Sequence, residues 1–118
     1  MLHYLIYTSK SNLHSHKELD DILRVAMFYN EKNDITGVLL YDEFHFLQVL
    51  EGNKQSIDNT YSFIKNDKRH KDILLKTRGT IQRRNFELWS MRICLTDKND
   101  LLELHNSENL DEKNIYSD

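Results

Sequence analysis

At 118 residues the chain can hold one hydrophobic core but not a second catalytic module. It is 39% hydrophobic and 30% charged, an ordinary globular composition, and its net charge of -3 argues against nucleic acid as the main partner. One cysteine, Cys94, excludes an internal disulfide and a cysteine metal cluster, and no apolar run is long enough to span a bilayer. With no signal-peptide or transit-peptide pattern either, a cytoplasmic protein is expected, with no membrane and no metal.

The first strand is Leu2 to Thr8, with His3, Leu5 and Tyr7 on one face and Leu2, Tyr4 and Ile6 on the other. Ser9 to His14 is polar and loop-like. Ser15-His16-Lys17-Glu18 fits a capping box, so a helix is expected from Ser15, with Leu19, Ile22, Leu23 and Ala26 as its apolar stripe. Asn30 closes that stripe. Ile35 to Tyr41 and Phe44 to Gly52 read as a hairpin turning at Asp42-Glu43, with two of the three glycines, Gly37 and Gly52, inside it. The second of these strands places Phe44, Phe46, Gln48 and Leu50 on one face and His45, Leu47 and Val49 on the other. Both faces are largely apolar, the mark of a central strand covered on both sides.

Asn53 caps a second helix whose inner face is Ile57, Tyr61 and Ile64, and which ends in the charged run Asn66 to Lys71. Ile73 to Arg78 is a fourth strand, Ile81 to Phe86 an irregular or helical link, and Trp89 to Leu95 a fifth strand with Trp89, Met91 and Ile93 on one face. Residues 97–118 turn polar, with Leu101, Leu102 and Leu104 able to hold one short helix. The expected domain is therefore 1–96, with 97–118 as an extension that is a short helix or disordered. The expected fold is an α+β sandwich of ferredoxin-like type, with two helices on one face of a five-stranded mixed sheet. Its opening strand-helix-strand would pair in parallel as a right-handed crossover.

Gln48 puts a primary amide among phenylalanines and leucines, where an unpartnered amide costs a few kcal/mol. Its partners are backbone, water or a ligand. Asn30 is either a cap of the turn that follows or a donor and acceptor aimed at something buried. The Asp67-Lys68-Arg69-His70 run reads first as a solvated helix end, and second as an anion site using Arg69 and His70. Trp89 and Met91 read first as core. No nucleophile stands with a base, no paired-histidine motif occurs, and no glycine-rich phosphate loop is present. Tyr7, Asn30, Gln48, Trp89 and Met91 together make a poor acid-base catalyst at neutral pH. They suit the lining of a site for a flat heteroaromatic ring bearing carbonyls and ring nitrogens.

Five stretches in order then resemble one family: Leu5-Ile6-Tyr7; Asn30 with Ile35-Thr36-Gly37; Phe46-Leu47-Gln48-Val49-Leu50-Glu51-Gly52; Asp67-Lys68-Arg69-His70; and Phe86-Glu87-Leu88-Trp89-Ser90-Met91. They look like the BLUF family, sensors of blue light using flavin adenine dinucleotide, from about Leu2 to Leu95. The resemblance implies FAD, or alternatively FMN, held between the two helices. It implies that Tyr7 is the light-driven electron and proton donor and that Gln48 lies between that phenol and flavin N5/O4. Asn30 would bind the carbonyl edge of the ring, and Phe46 belongs to the same cofactor-binding set. Ser9 would lie near the tyrosine, Asp67, Arg69 and His70 near the ribityl and phosphate part, and Trp89 and Met91 would relay the signal. Tyr29 departs from the family's smaller polar residue or histidine beside the asparagine, which leaves that corner of the ring open.

The resemblance thus implies a blue-light photoreceptor, not an enzyme, signalling to a separate downstream protein or to copies of itself. The rival reading is a cofactor-free ferredoxin-like interaction module, with Lys65 to Lys71 and Arg83-Arg84 as its binding face. Whether the purified protein is yellow separates the two.

Overall fold

The computed structural model describes residues 1–13, 15–86, 92–95 and 100–106. Among these the elements run β1 (Leu2–Ser11), α1 (His16–Lys32), β2 (Thr36–Tyr41), β3 (His45–Asn53), α2 (Lys54–Lys65), β4 (His70–Ile81), β5 (Arg92–Leu95) and α3 (Asp100–Asn106). The sheet order is β4-β1-β3-β2-β5. The first four strands pair antiparallel, and β5 joins the outer edge of β2 in parallel.

β1 and β2 point the same way but do not pair with each other, so the parallel pairing considered for a crossover through the hairpin does not form. β3 lies between and is antiparallel to both, with Val38 opposite Val49 on one side and Tyr7 opposite Gln48 on the other. The tight turn is the cause. A strand folded straight back on β2 takes the inner edge of that strand, and β1 must then pair with β3. The Asp42 carboxylate holds the turn by accepting from Phe44 N at 3.0 Å and His45 N at 2.8 Å, while Glu43 takes a left-handed φ of 79°. Gly37 belongs here for a different reason: a Cβ would run into the Val49 carbonyl across the ladder.

Both long helices begin as the sequence indicates. Ser15 Oγ accepts from Glu18 N at 3.3 Å, and Asn53 Oδ1 accepts from Ser56 N at 2.9 Å. Each such cap is worth about 1 kcal/mol. The boundaries differ elsewhere. β1 runs to Ser11, so Ser9, expected in a loop, is fully buried opposite Phe46. β4 starts at His70, inside the charged run. Phe44 lies in the turn and is half exposed. Trp89 and Met91 lie outside the described residues.

Every residue of β3 except Asn53 is buried, because both faces of the sheet are covered. On the front, Leu5, Tyr7, Leu39, Phe46 and Leu50 pack beneath Leu19 of α1 and Ile57 of α2. On the back, Tyr4, Ile6, Val38, Leu47 and Val49 pack beneath Leu101 of α3. A polar seam lies along the edge of that back cluster. Asp42 Oδ2 accepts from Leu101 N at 3.1 Å, and His105 Nδ1 bonds Thr8 Oγ1 at 2.8 Å. The His45 ring stands 5.1 Å from that of His105, centroid to centroid.

Removing the Ile57 side chain beyond Cβ, a fully buried site, should cost about 2–5 kcal/mol in urea unfolding. The seam predicts a pH effect. Burial first, then the neighbouring His45 and Lys76, hold His105 below the ordinary imidazole value. As pH falls, the unfolded chain therefore takes up this proton first. The stability it contributes is full above about pH 6.5 and is lost as pH falls below that. Urea midpoints should drop between pH 7.5 and 5.5 in the wild type, and by less in His105→Asn; an equal drop in both would show that another group is responsible.

Candidate functional site

Between α1, α2 and the front of the sheet lies a cavity of about 300 Å³, within the range of small-molecule sites. Ile22, Val25 and Ala26 of α1 form one wall, and Thr60, Phe63 and Ile64 of α2 the other. These positions recur at three- and four-residue spacing, which puts each set on one helical face. The floor is β3 and its neighbours, with Gln48, Phe46, Leu39 and Tyr7, and Asn30 closes one end. Asp67, Arg69 and His70 border the cavity where α2 passes into β4.

A short polar contact joins two floor residues. The Tyr7 hydroxyl donates to Gln48 Oε1 at 2.5 Å, across the β1–β3 ladder where the two residues are register partners. Tyr7 is 4% and Gln48 6% exposed. Burial raises the Tyr7 pKa far above the ordinary phenol value, and the nearby Tyr61 and Asp67 push the same way. Tyr7 is therefore a neutral phenol at any physiological pH. With Oε1 accepting from the phenol, the Gln48 amide has its Nε2 hydrogens as donors for its other contacts.

Tyr7 is boxed in by rings: Tyr61 at 5.7 Å and the His70 ring edge-on at 6.1 Å. His70 Nε2 donates to the Ile64 carbonyl at 2.7 Å, which fixes the tautomer of the neutral ring. Nδ1 is then the acceptor, and Ser9 Oγ donates to it at 2.8 Å. His70 thus ties the end of α2 to β1 behind the tyrosine. Asp67 and Arg69 form a two-pronged pair, Nε to Oδ1 at 2.9 Å and Nη2 to Oδ2 at 2.6 Å. The guanidinium bond holds the Asp67 carboxyl below the usual carboxylate range and raises Arg69 in turn. Much of the Arg69 charge is already balanced, which weakens it as a lone anion site.

Asn30 lies in the last turns of α1, and the bonds at the turn that follows go to its backbone carbonyl rather than its side chain. It is 2% exposed and borders the cavity, and its carbonyl accepts from Ile35 N at 2.8 Å and Asn33 N at 3.2 Å. Tyr29 also lines the cavity, with its ring edge-on to Phe63 at 5.8 Å.

The family model described as sensors of blue light using FAD matches residues 2–92. The chain belongs to the BLUF family. Among relatives, the photoactivated adenylate cyclase subunit alpha of Euglena gracilis is 45% identical over 60 residues, 51% of this chain and 6% of that one. The blue light- and temperature-regulated antirepressor BluF of Escherichia coli (strain K12) is 34% identical over 58 residues, 49% of this chain and 14% of that one. The chain therefore spans a small part of these curated relatives. Among solved structures, dark-state BlrB, a BLUF protein, superposes with a TM-score of 0.85 at 32% identity, covering 97% of this chain and 89% of that one. Ground-state BlsA gives 0.81 at 30% identity, covering 98% and 83%.

Around this BLUF cavity the fold gathers Tyr7, Phe46, Gln48, Asn30, Asp67, Arg69 and His70, with Ser9 one layer behind. Thr60, Phe63 and Leu39 also line it and were not singled out from the sequence. Thr60 follows Ile57 at helical spacing, which was the available signal. Phe63 is 68% exposed, at the rim, so no burial pattern marks it.

Because Tyr7 stays protonated, alkaline titration of the folded protein followed by phenolate absorbance should look the same in the wild type and in Tyr7→Phe up to about pH 11. One fewer titrating phenol in the variant below that pH would contradict the assignment.

Proposed function

We propose that this chain is a blue-light photoreceptor in which flavin binds between α1 and α2, FAD being the family's cofactor and FMN the alternative. FMN is the flavin named with Klebsiella pneumoniae BlrP1, whose structure is 35% identical to this chain, covering 80% of it and 26% of that chain, with a TM-score of 0.75. The observation that supports the reading above all is the Tyr7–Gln48 hydrogen bond on the floor of a cavity whose helical walls are largely apolar. The donor set fits a flavin ring: two amides and a phenol on or beside the floor, aliphatic and aromatic walls, and a charged, polar border at Asp67, Arg69 and His70. In this reading the sheet is ferredoxin-like, residues 1–96 are the sensor, and 97–118 are an extension.

Bound flavin would supply blue-light absorption and an excited state able to take an electron. Tyr7 gives up that electron, and its hydroxyl proton follows along the short bond to Gln48. The Gln48 amide rearranges by tautomerisation, rotation or both, and return of the electron and proton restores the phenol. No substrate is consumed. Asn30 would hold the carbonyl edge of a bound ring, and Ser9 acts through His70 to keep the tyrosine in place. Asp67 and Arg69 would lie toward the ribityl and phosphate part of a bound flavin, and Trp89 and Met91 would relay the change. An ordinary hydrogen bond is worth about 1 kcal/mol net, so the output is a modest bias on a bistable element rather than a large refolding. That bias passes to a separate protein or to another copy of the chain, with residues 97–118 as the place to look for the interface.

Purified protein should be yellow, or become so with added FAD, and its flavin bands should shift to the red under blue light and relax in the dark. Gln48→Leu should keep flavin and lose the normal shift, and Tyr7→Phe should bind flavin without the normal photocycle. Colourless protein that refuses FAD and FMN would favour the cofactor-free interaction module, and a full normal shift in Gln48→Leu would remove Gln48 from the mechanism.

A further inference from the structure

Glu51 is fully buried. It lies three residues after Gln48 on β3, so the alternation of the strand puts it on the opposite face. Its carboxylate is built into the turn between β4 and β5. Oε1 accepts from Asn85 N and from Phe86 N, each at 2.9 Å, and Oε2 accepts from Asn85 N at 3.1 Å and Asn85 Nδ2 at 3.2 Å. Arg84 of the same turn reaches back to the sheet. Its guanidinium donates to Thr36 Oγ1 at 3.0 Å, the Glu51 carbonyl at 3.0 Å and the Asp34 carbonyl at 2.8 Å, and it meets the Asp34 carboxylate at 3.1 Å. Phe86 packs against the back-face cluster.

Residues 84–86 are thus fixed by side chains to the end of β3 and the start of β2. A carboxylate accepting from two consecutive backbone amides is a charge-assisted arrangement, stronger than a neutral one. It is also demanding, because a buried carboxylate that loses a donor has no water to replace it.

We propose that Glu51 is a positioning residue that couples β3 to the chain leading into β5. The inference rests on the photoreceptor reading. One strand then bears the rearranging amide on its front and this anchor on its back. A shift of the β3 backbone as Gln48 re-pairs moves the Glu51 carboxylate against the Asn85 and Phe86 amides and loosens the turn. The Gln48 end of the path is the cavity floor, and the other end is the segment that runs on to β5 at the edge of β2. Glutamine is an imperfect replacement for Glu51: its Oε1 can still accept from Asn85 N and Phe86 N, but the charge is lost and its amide nitrogen would stand as a donor facing Asn85 N.

The test uses the full chain with bound FAD and amide hydrogen exchange resolved by NMR in the dark and under blue light. In the wild type the Asn85 and Phe86 amides should be protected in the dark and exchange about fivefold faster in the light, the factor that the net worth of one ordinary hydrogen bond carries. In Glu51→Gln, where the charge-assisted part of these bonds is lost, the amides should exchange faster in the dark than in the wild type and the light–dark difference should shrink. The red shift of the flavin should keep its wild-type size, because Glu51 faces away from the cavity. Equal exchange in the dark and the light in the wild type would overturn the coupling, as would a wild-type difference in Glu51→Gln. Should that variant not fold, the wild-type measurement alone decides. A wild type without flavin or without a red shift overturns the photoreceptor reading and this inference with it; a normal shift over unmoved amides overturns only the role of Glu51.

Discussion

β3 is a strand with no solvent face. It lies between β1 and β2, beneath α1 and α2 on one side and behind α3 on the other. Every polar side chain it bears must therefore find a partner inside the protein or in something the protein binds. Gln48 meets the Tyr7 hydroxyl, and Glu51 meets the backbone of the turn after β4. His45 is the exception: among the described residues neither ring nitrogen has a hydrogen-bond partner. The strand distributes chemistry to two faces by alternation alone, and the cavity and the anchored turn both follow from its central position.

The front and back of the sheet solve different problems. The front leaves a space between two helices, with most of its polar groups on the floor and along one border. The back is closed, and its polar groups fasten chain to chain: Asp42 to Leu101, Thr8 to His105, and the Lys76 ammonium to the His105 carbonyl at 2.5 Å. A network of this kind admits few arrangements, since each unpaired member is expensive in a low dielectric.

The similarity to known proteins has two scales. BlrB and BlsA are matched over most of their own length, 89% and 83%. A bacterial light-regulated adenylyl cyclase is matched over 32% of its chain, at a TM-score of 0.78. A unit of this architecture therefore occurs both in chains little longer than itself and as a minor part of larger ones.

Local pattern was enough for the helix starts, the turn at Asp42-Glu43, the two-sided burial of β3 and the amide at Gln48. Caps, turn residues and alternation act within a few residues of one another, so the chain states them directly. Tyr7, Asn30 and Gln48 were legible as candidates through motif order. That the Tyr7 hydroxyl meets Gln48 Oε1 is a matter of strand register across 41 residues, which only pairing decides. The same holds for His70. As part of a charged run it looks like a solvated helix end, yet it begins β4 and joins Ser9 to Ile64 behind the tyrosine. Asp42, Glu51 and Arg84 gave no sign of burial or anchoring, because a charged side chain reads as solvent-facing until its distant partners are known. What the linear order fixed was which residues have chemistry to offer; which of them meet was settled by the insertion of β3 between β1 and β2, a contact between segments far apart in the chain that no local rule encodes.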